Sequence, residues 1–528
     1  MLVLQNISYL HPNKDLLFQG INLILNSGEK VALIGNNGVG KSTLLKIIAK
    51  ELPISNGQLL VEGMPYYIPQ VFGQFNHLTV AEALGVDGKI KALHAILAGS
   101  VIEEDYVVLG DDWLIEEHCY EGLRLWELEG VLLSDSMGSL SGGQRTRVFL
   151  AGIFIHRPDF VLMDEPSNHL DSGGRALLYD FVLNSQCSLL LISHDRKLLN
   201  LLHKVCELSK DGIRVYGGNY DFYKEQKVLQ TNALLEDFLS KEGALRKAKE
   251  VERESVERQQ KLDARAKKKS AKGGMPKIVA NSWKNSAENS TSKMKGIHAD
   301  KTSALSEELR VLRSSLSSID RVKLRFDNSE LHRGKVLVEA DGINFSYSDV
   351  LLWSSPLSFK FLSGERIALK GANGSGKTTL IKLLLGELEV HSGVLNRAVI
   401  DSVYIDQDYS LIDNSLSVFE QALSFNRLFL MEHEVKMRLN RFLFSAADWN
   451  KCCGSLSGGE RMRLLLCCLE IASQSPDLII LDEPTNNLDI HNIEILTSAI
   501  SGYEGTLIVV SHDDYFLEQI GVDRVVLL

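Results

Sequence analysis

Short, wholly apolar runs are the first regularity of the chain. Phe160-Val-Leu-Met163, Leu189-Leu-Leu-Ile192, Leu478-Ile-Ile-Leu481 and Leu507-Ile-Val-Val510 show no polar alternation, the pattern of strands covered on both faces of a parallel sheet. Two further runs, Lys30-Val-Ala-Leu-Ile34 and Arg366-Ile-Ala-Leu-Lys370, enter glycine-rich loops, after which helices are expected to begin at Ser42 and Thr378. Strands thus alternate with helices in each half, which predicts an α/β architecture built twice. Between the halves the pattern changes. From Tyr216-Gly-Gly-Asn-Tyr-Asp-Phe-Tyr223 the chain becomes charged and proline-free as far as Pro276, a long helical pattern passing Lys249, Arg253, Arg258 and Arg265. Lys267-Lys268-Lys269, Gly273-Gly274 and Pro276 interrupt it, and Leu305, Leu309, Leu312, Leu316 and Ile319 then recur at helical spacing. The expected connector is a basic helical hairpin over residues 219–334, between domains at 1–218 and 335–528.

Composition narrows this picture. At 528 residues the chain is too long for one core, and its 45% hydrophobic and 24% charged residues suit ordinary globular domains. No run of about 18 apolar residues could span a bilayer. The opening Met1-Leu-Val-Leu4 lacks the basic-then-apolar pattern of a leader, so a cytoplasmic protein is expected. The seven cysteines are odd in number and never spaced Cys-x-x-Cys, poor material for a disulfide framework or a zinc site and better read as small buried hydrophobes. The net charge of −11 hides an asymmetry: residues 241–301 hold 17 basic against 8 acidic residues, a net +9, leaving −20 elsewhere. The projection, not the acidic body, is the part suited to a polyanion.

The chain also repeats itself. Gly35-Asn-Asn-Gly-Val-Gly-Lys41-Ser42 returns as Gly371-Ala-Asn-Gly-Ser-Gly-Lys377-Thr378, Leu140-Ser-Gly-Gly-Gln144 as Leu456-Ser-Gly-Gly-Glu460, Met163-Asp-Glu-Pro166 as Leu481-Asp-Glu-Pro484, and Ser193-His-Asp195 as Ser511-His-Asp513. The order is kept and the offsets are 336, 316, 318 and 318 residues, so the first half carries about 18 extra residues between glycine loop and Leu-Ser-Gly-Gly.

A glycine loop between strand and helix cradles phosphate, because its N–H groups converge on the anion at the positive end of the helix dipole. Gly35, Asn36, Asn37, Gly38, Gly40, Lys41, Ser42 and Thr43 form one such cradle, and Gly371, Asn373, Gly374, Gly376, Lys377, Thr378 and Thr379 the other. Lys41 and Lys377 suit the β- and γ-phosphates of ATP, and Ser42 and Thr378 suit Mg²⁺. Asp164 and Asp482, ending apolar strands, are further Mg²⁺ ligands, and the adjacent Glu165 and Glu483 are candidate general bases for the attacking water. His194 and His512 complete each constellation as γ-phosphate contacts. Ser141, Gly142 and Gly143, like Ser457, Gly458 and Gly459, open helices and offer a second anion site. Gln70 and Gln407 are candidates to sense Mg²⁺ and water, and Tyr9 and Tyr347 to stack on adenine.

With these motifs the chain resembles the ABC-F family of ATP-binding cassette proteins over essentially its whole length. Two cassettes without membrane segments, Glu-Pro-Ser-Asn-His-Leu-Asp (165–171), Glu-Pro-Thr-Asn-Asn-Leu-Asp (483–489) and Gly-Asn-Tyr-Asp-Phe-Tyr (218–223) carry the likeness. The resemblance implies two P-loop cassettes joined by a long helical hairpin, each signature serine completing the opposite site, Lys41 with Ser457 and Lys377 with Ser141. It also implies a monomer that closes on itself and binds the ribosome, acting as a translation factor or protecting against antibiotics. The tip residues Arg265, Lys267, Lys268, Lys269, Lys272 and Lys277 are then candidates for rRNA and tRNA phosphates, and Trp283 for stacking on a base. Ser167 and Glu460 depart from the family's threonine and glutamine, no C-terminal extension of the kind some members carry is expected, and the 18-residue excess is small for a dedicated arm. A transporter energy subunit is the first rival, and the basic hairpin argues against it. A DNA-repair ATPase lacks its zinc cysteines here, and a non-hydrolysing scaffold has no need of Glu165 and Glu483.

Overall fold

The computed structural model describes residues 1–270, 300, 302–312, 332–348, 350–427, 429–472 and 476–528. Two compact units emerge: Met1–Asp221 with Arg321–Leu528, and Phe222–Asp320.

In the first unit each half repeats one plan. The first half has a six-stranded sheet in the order Tyr66–Ile68, Phe160–Asp164, Ser188–Ile192, Lys30–Ile34, Lys204–Ser209, Gly212–Tyr216. The second has Ser402–Ile405, Leu478–Asp482, Thr506–Val510, Arg366–Lys370, Arg524–Leu527. All neighbours are parallel except the last pair of the first sheet. The unalternating runs fill the middle: every residue of Phe160–Asp164, Ser188–Ile192, Leu478–Asp482 and Thr506–Val510 is buried, as central parallel strands require. Register then sets the site, because Asp164 lies opposite Ile192 and Asp482 opposite Val510. The carboxyl ends where α/β sheets bind ligands are thereby level. A three-stranded antiparallel sheet accompanies each, Leu2–Leu10 between Leu16–Leu25 and Asn56–Val61, and Val336–Asn344 between Leu357–Leu362 and Ser392–Arg397.

The excess of the first half has a definite form. Val80–Ala83 and Ile115–Leu125 have counterparts in Val418–Ser424 and Glu432–Arg441, but among the described residues the helices Asp87–Leu97 and Glu103–Leu109 between them have none. Lys89–Asp112 and His94–Glu116, both 2.9 Å, tie this pair to its surroundings. Leu97, Val101, Ile102 and Val107 remain largely exposed. The insertion judged small from its length is thus a folded helix pair.

In the second unit, the 51-residue helix Tyr220–Ser270 extends about 77 Å at 1.5 Å per residue. Residues 302–312 form a second helix with Leu305, Leu309 and Leu312 half-buried along one stripe, and Lys241 pairs with Glu308 at 3.1 Å. Arg265 is exposed and Lys267, Lys268 and Lys269 lie in the last turns of the long helix. Lys272, Lys277, Trp283, Leu316 and Ile319 lie outside the described residues. Among the described residues no helix is long and apolar enough to cross a membrane.

Candidate active sites

Each site starts from a glycine loop. Strand Lys30–Ile34 delivers the loop 35–40, and helix Lys41–Ile48 follows with Gly40 as N-cap. Gly40 has φ +101°, and a Cβ there would lie 2.8 Å from Leu17 and Phe18, so only glycine lets the loop close on the sheet. Lys41 is buried, its Nζ donating to the carbonyls of Gly35 (2.6 Å) and Asn36 (3.3 Å). Lys377 repeats this on Gly371 (2.8 Å) and Ala372 (3.0 Å). Burial lowers the pKa of both lysines against the pull of nearby carboxylates, Glu165, Asp489 and Asp164 around Lys41, and Glu483, Asp482 and Asp171 around Lys377. One carboxylate in each set comes from the opposite half.

Asp164 and Asp482 end their strands 1% and 5% exposed, and burial pushes both carboxyls up. The hydroxyl of Thr378 donates to Asp482 Oδ2 (3.3 Å), as do those of Tyr404 (3.0 Å) and, in the first half, Tyr67 to Asp164 Oδ2 (3.4 Å). Glu165 and Glu483 follow with φ of 52° and 47°, a left-handed turn that costs energy and is met at functional positions. The next strands hold it: Glu165 N donates to Ile192 O (2.9 Å) and Glu483 N to Val510 O (2.8 Å). Burial, helped by the neighbouring aspartate, raises Glu165 to about 8. Burial raises Glu483 to about 7, close to a working pH for a base. His194 Nε2 lies 3.1 Å from Glu165 Oε1 and His512 Nε2 3.4 Å from Glu483 Oε1. Burial and the facing lysines lower these histidines to about 3 and about 4, so both act as neutral imidazoles. Asp164 Oδ1, His194 Nδ1 and both Glu483 carboxylate oxygens are buried without hydrogen-bond partners. Hydroxyl and carboxylate oxygens beside a triphosphate cradle suit a hard divalent cation that shares its shell with phosphate, and unpaired Glu and His atoms suit a polarised water.

The halves complete each other. A cavity of about 410 Å³ is lined by Asn37, Gly38, Gly40, Lys41, Ser42, Thr43, Gln70, Asp164, Glu165 and His194 of the first half and by Ser457 and Asn487 of the second. Asp489 explains the join. Its Oδ1 caps helix Ile490–Ser501 by accepting from Asn492 N (2.8 Å), and its Oδ2 accepts from Asn37 N across the interface (2.8 Å). Asp171 works likewise, with Oδ1 on Gly174 N (2.9 Å) and Oδ2 3.5 Å from Asn373 N, while Asn373 Nδ2 donates to His169 O (3.0 Å). Gly143, second residue of the helix that Ser141 caps, sits under Asn373 and His169. Ser141 and Ser457 are helix N-caps, the first paired with Gln144 and the second with Glu460, whose extra charge Lys451 meets at 2.9 Å.

One expected position changes. Tyr9 packs against His11 and Phe18 and is absent from the cavity wall, where His11 stands instead. Ser8 pairs with Asn56 as Asn344 pairs with Ser392, so His11, three residues beyond, is the counterpart of Tyr347. Tyr347 is exposed, its hydroxyl 3.0 Å from that of Thr379. Gln407 is exposed, whereas Gln70 is half-buried on the cavity. Tyr67 and Tyr404 belong to none of the motifs above, and Asp171 and Asp489 enter them only as the ends of the two Glu-Pro segments, with no role assigned. Tyr-x-x-Gln at 67–70 and 404–407 is the repeat that marks the tyrosines.

The ABC transporter family matches residues 18–168 and 354–486. The putative ATP-binding protein YdiF of Bacillus subtilis (strain 168) is 30% identical across 96% of this chain and 77% of YdiF. This chain belongs to the ABC-F family. The energy-dependent translational throttle protein EttA of Escherichia coli (strain K12) is 29% identical to the ABC-F chain across 96% of it and 89% of EttA. The archaeal ribosome recycling factor aABCE1, solved with the ribosomal stalk protein aP1, shares the fold at a TM-score of 0.60 and 20% identity, covering 99% and 87% of the two chains. Both halves are thus ATP-binding domains of ABC type.

Proposed function

We propose that the ABC-F chain is a cytoplasmic ATPase that binds ATP with Mg²⁺ at two composite sites and acts on the ribosome, where hydrolysis drives its release. The observation that carries this reading is the pairing of Asn37 with Asp489 beside a cavity shared by Lys41, Glu165 and Ser457. A site split between halves favours closure when nucleotide bridges them. In each, Ser42 or Thr378 with Asp164 or Asp482 would hold Mg²⁺, which when bound draws charge from the β- and γ-phosphates. Glu165 or Glu483 takes a proton from the attacking water, the neutral His194 or His512 holds that water and the phosphate in line, and Lys41 or Lys377 receives developing charge. ADP and phosphate result. Ribosome action is supported by the net +9 of residues 241–301 against an acidic body and by likeness to a translational throttle protein.

Co-sedimentation with 70S ribosomes tests it, using Glu165→Gln, Glu483→Gln protein with and without ATP over a salt series. Binding that requires ATP and weakens with salt is expected. Failure of the ATP-loaded variant to sediment with ribosomes at any salt sinks the ribosomal reading.

A further inference from the structure

Beyond the exchange of Gln144 for Glu460, the two sites differ in one charged side chain that crosses between the halves. Asp171 and Asp489 each open a helix, and the residues four further on, Arg175 and Ile493, occupy the same turn, both backbone amides donating to the aspartate carbonyl at 2.9 Å. Ile493 is buried and apolar. Arg175 belongs to the first half but points at the second. Its Nη1 donates to the carbonyl of His512 (3.3 Å), 337 residues away, and its Nε to Leu170 O (3.2 Å). Asp195 of the first half, 3.7 Å from Nη1, anchors the guanidinium, and only 11% of the Arg175 side chain is exposed. Arg175 is also the cation that acts most strongly on Glu483. Among the described residues Lys41, of the same half, is the leading cation at Glu165.

We propose that Arg175 is a positioning residue acting in trans on the site of Lys377 and Glu483, so that this site and the site of Lys41 and Glu165 are unequal by construction. The inference rests on the reading of both sites as hydrolytic. By holding the His512 carbonyl, Arg175 fixes the turn that presents the imidazole beside Glu483, and closure of the halves delivers its charge. A buried guanidinium whose fork is engaged in fixed directions suits this task better than a flexible ammonium. The effect stays local to one site. Asp195 retains its hydrogen bond from Tyr179 (2.5 Å) and its cap bonds from Lys197 N (3.0 Å) and Leu198 N (3.2 Å) without Arg175, so the His194 turn keeps its support.

The test separates the sites by silencing one base at a time. In a Glu165→Gln background, which leaves the Glu483 site active, Arg175→Ile is expected to lower kcat about 10-fold or more with KM for ATP nearly unchanged. In a Glu483→Gln background the same change is expected to move kcat less than about 3-fold. Arg175→Lys, which keeps the charge, should recover part of the loss at the Glu483 site. Thermal unfolding and binding of a fluorescent ATP analogue establish that each variant is folded. Equal losses at both sites, no loss at either, or a lysine variant as slow as the isoleucine one overturns the proposal. Absence of turnover in the Glu165→Gln protein alone removes the hydrolytic reading of the Glu483 site, and the inference falls with it.

Discussion

Individual residues show how burial tunes this chemistry. A glutamate held near 8 in the folded chain but near 4.5 when unfolded keeps a proton on folding that the unfolded chain releases. Between those pH values the folded state binds more protons, so stability falls as pH rises and the full penalty is present above about pH 8. Glu483, raised to about 7, adds to it over a narrower window. Glu165→Gln and Glu483→Gln remove the penalty. Without nucleotide or Mg²⁺, the double variant is expected to melt with wild type at pH 5 and about 2–4 °C above it at pH 8.5. An identical difference at both pH values would show that the carboxyls are not titrating in this range. The candidate bases were legible from Asp-Glu-Pro at a strand end. Their perturbed protonation was not, since it arises from burial in the folded chain and from the adjacent aspartates.

Elements place these residues, and the helices after Leu-Asp serve two purposes at once. Asp489 caps one with one oxygen and reaches Asn37 with the other. Loss of a cap costs about 1 kcal/mol, and loss of the cross-contact weakens closure. Asp489→Ala is therefore expected to lower the melting temperature modestly and raise KM for ATP severalfold in a Glu483→Gln background, where only the Lys41 site turns over. A variant that melts lower with KM unchanged would leave Asp489 a simple cap. The strands were readable because a fully buried parallel strand has no polar alternation. The insertion was not, since a length excess says nothing about form, whereas the structure folds it as Asp87–Leu97 and Glu103–Leu109. His11 was missed for a similar reason: strand register, not residue type, decides which aromatic faces the cavity.

For the whole molecule, charge separation is the governing feature. On the proposed ribosomal role, polyanion binding through the basic segment would release counterions, so the logarithm of affinity would fall with the logarithm of salt concentration in proportion to the phosphates neutralised. Replacing Lys267, Lys268 and Lys269 by glutamine is expected to flatten that slope for ribosomes by about 2 while leaving ATP turnover without ribosomes unchanged. An unaltered slope would move the contact away from these lysines. The sequence by itself determined the architecture, since apolar runs, glycine loops and four motifs each repeated once per half dictate local geometry through nearest neighbours. It also named most of the candidate residues that the structure gathers at the Lys41 cavity, though not His11. Only the tertiary structure decided how the two copies differ. The reach of Arg175 to His512 and the double duty of Asp489 depend on groups hundreds of residues away, brought close by the packing of one half on the other, whereas the raised Glu165 carboxyl depends on burial and on Asp164 within its own half.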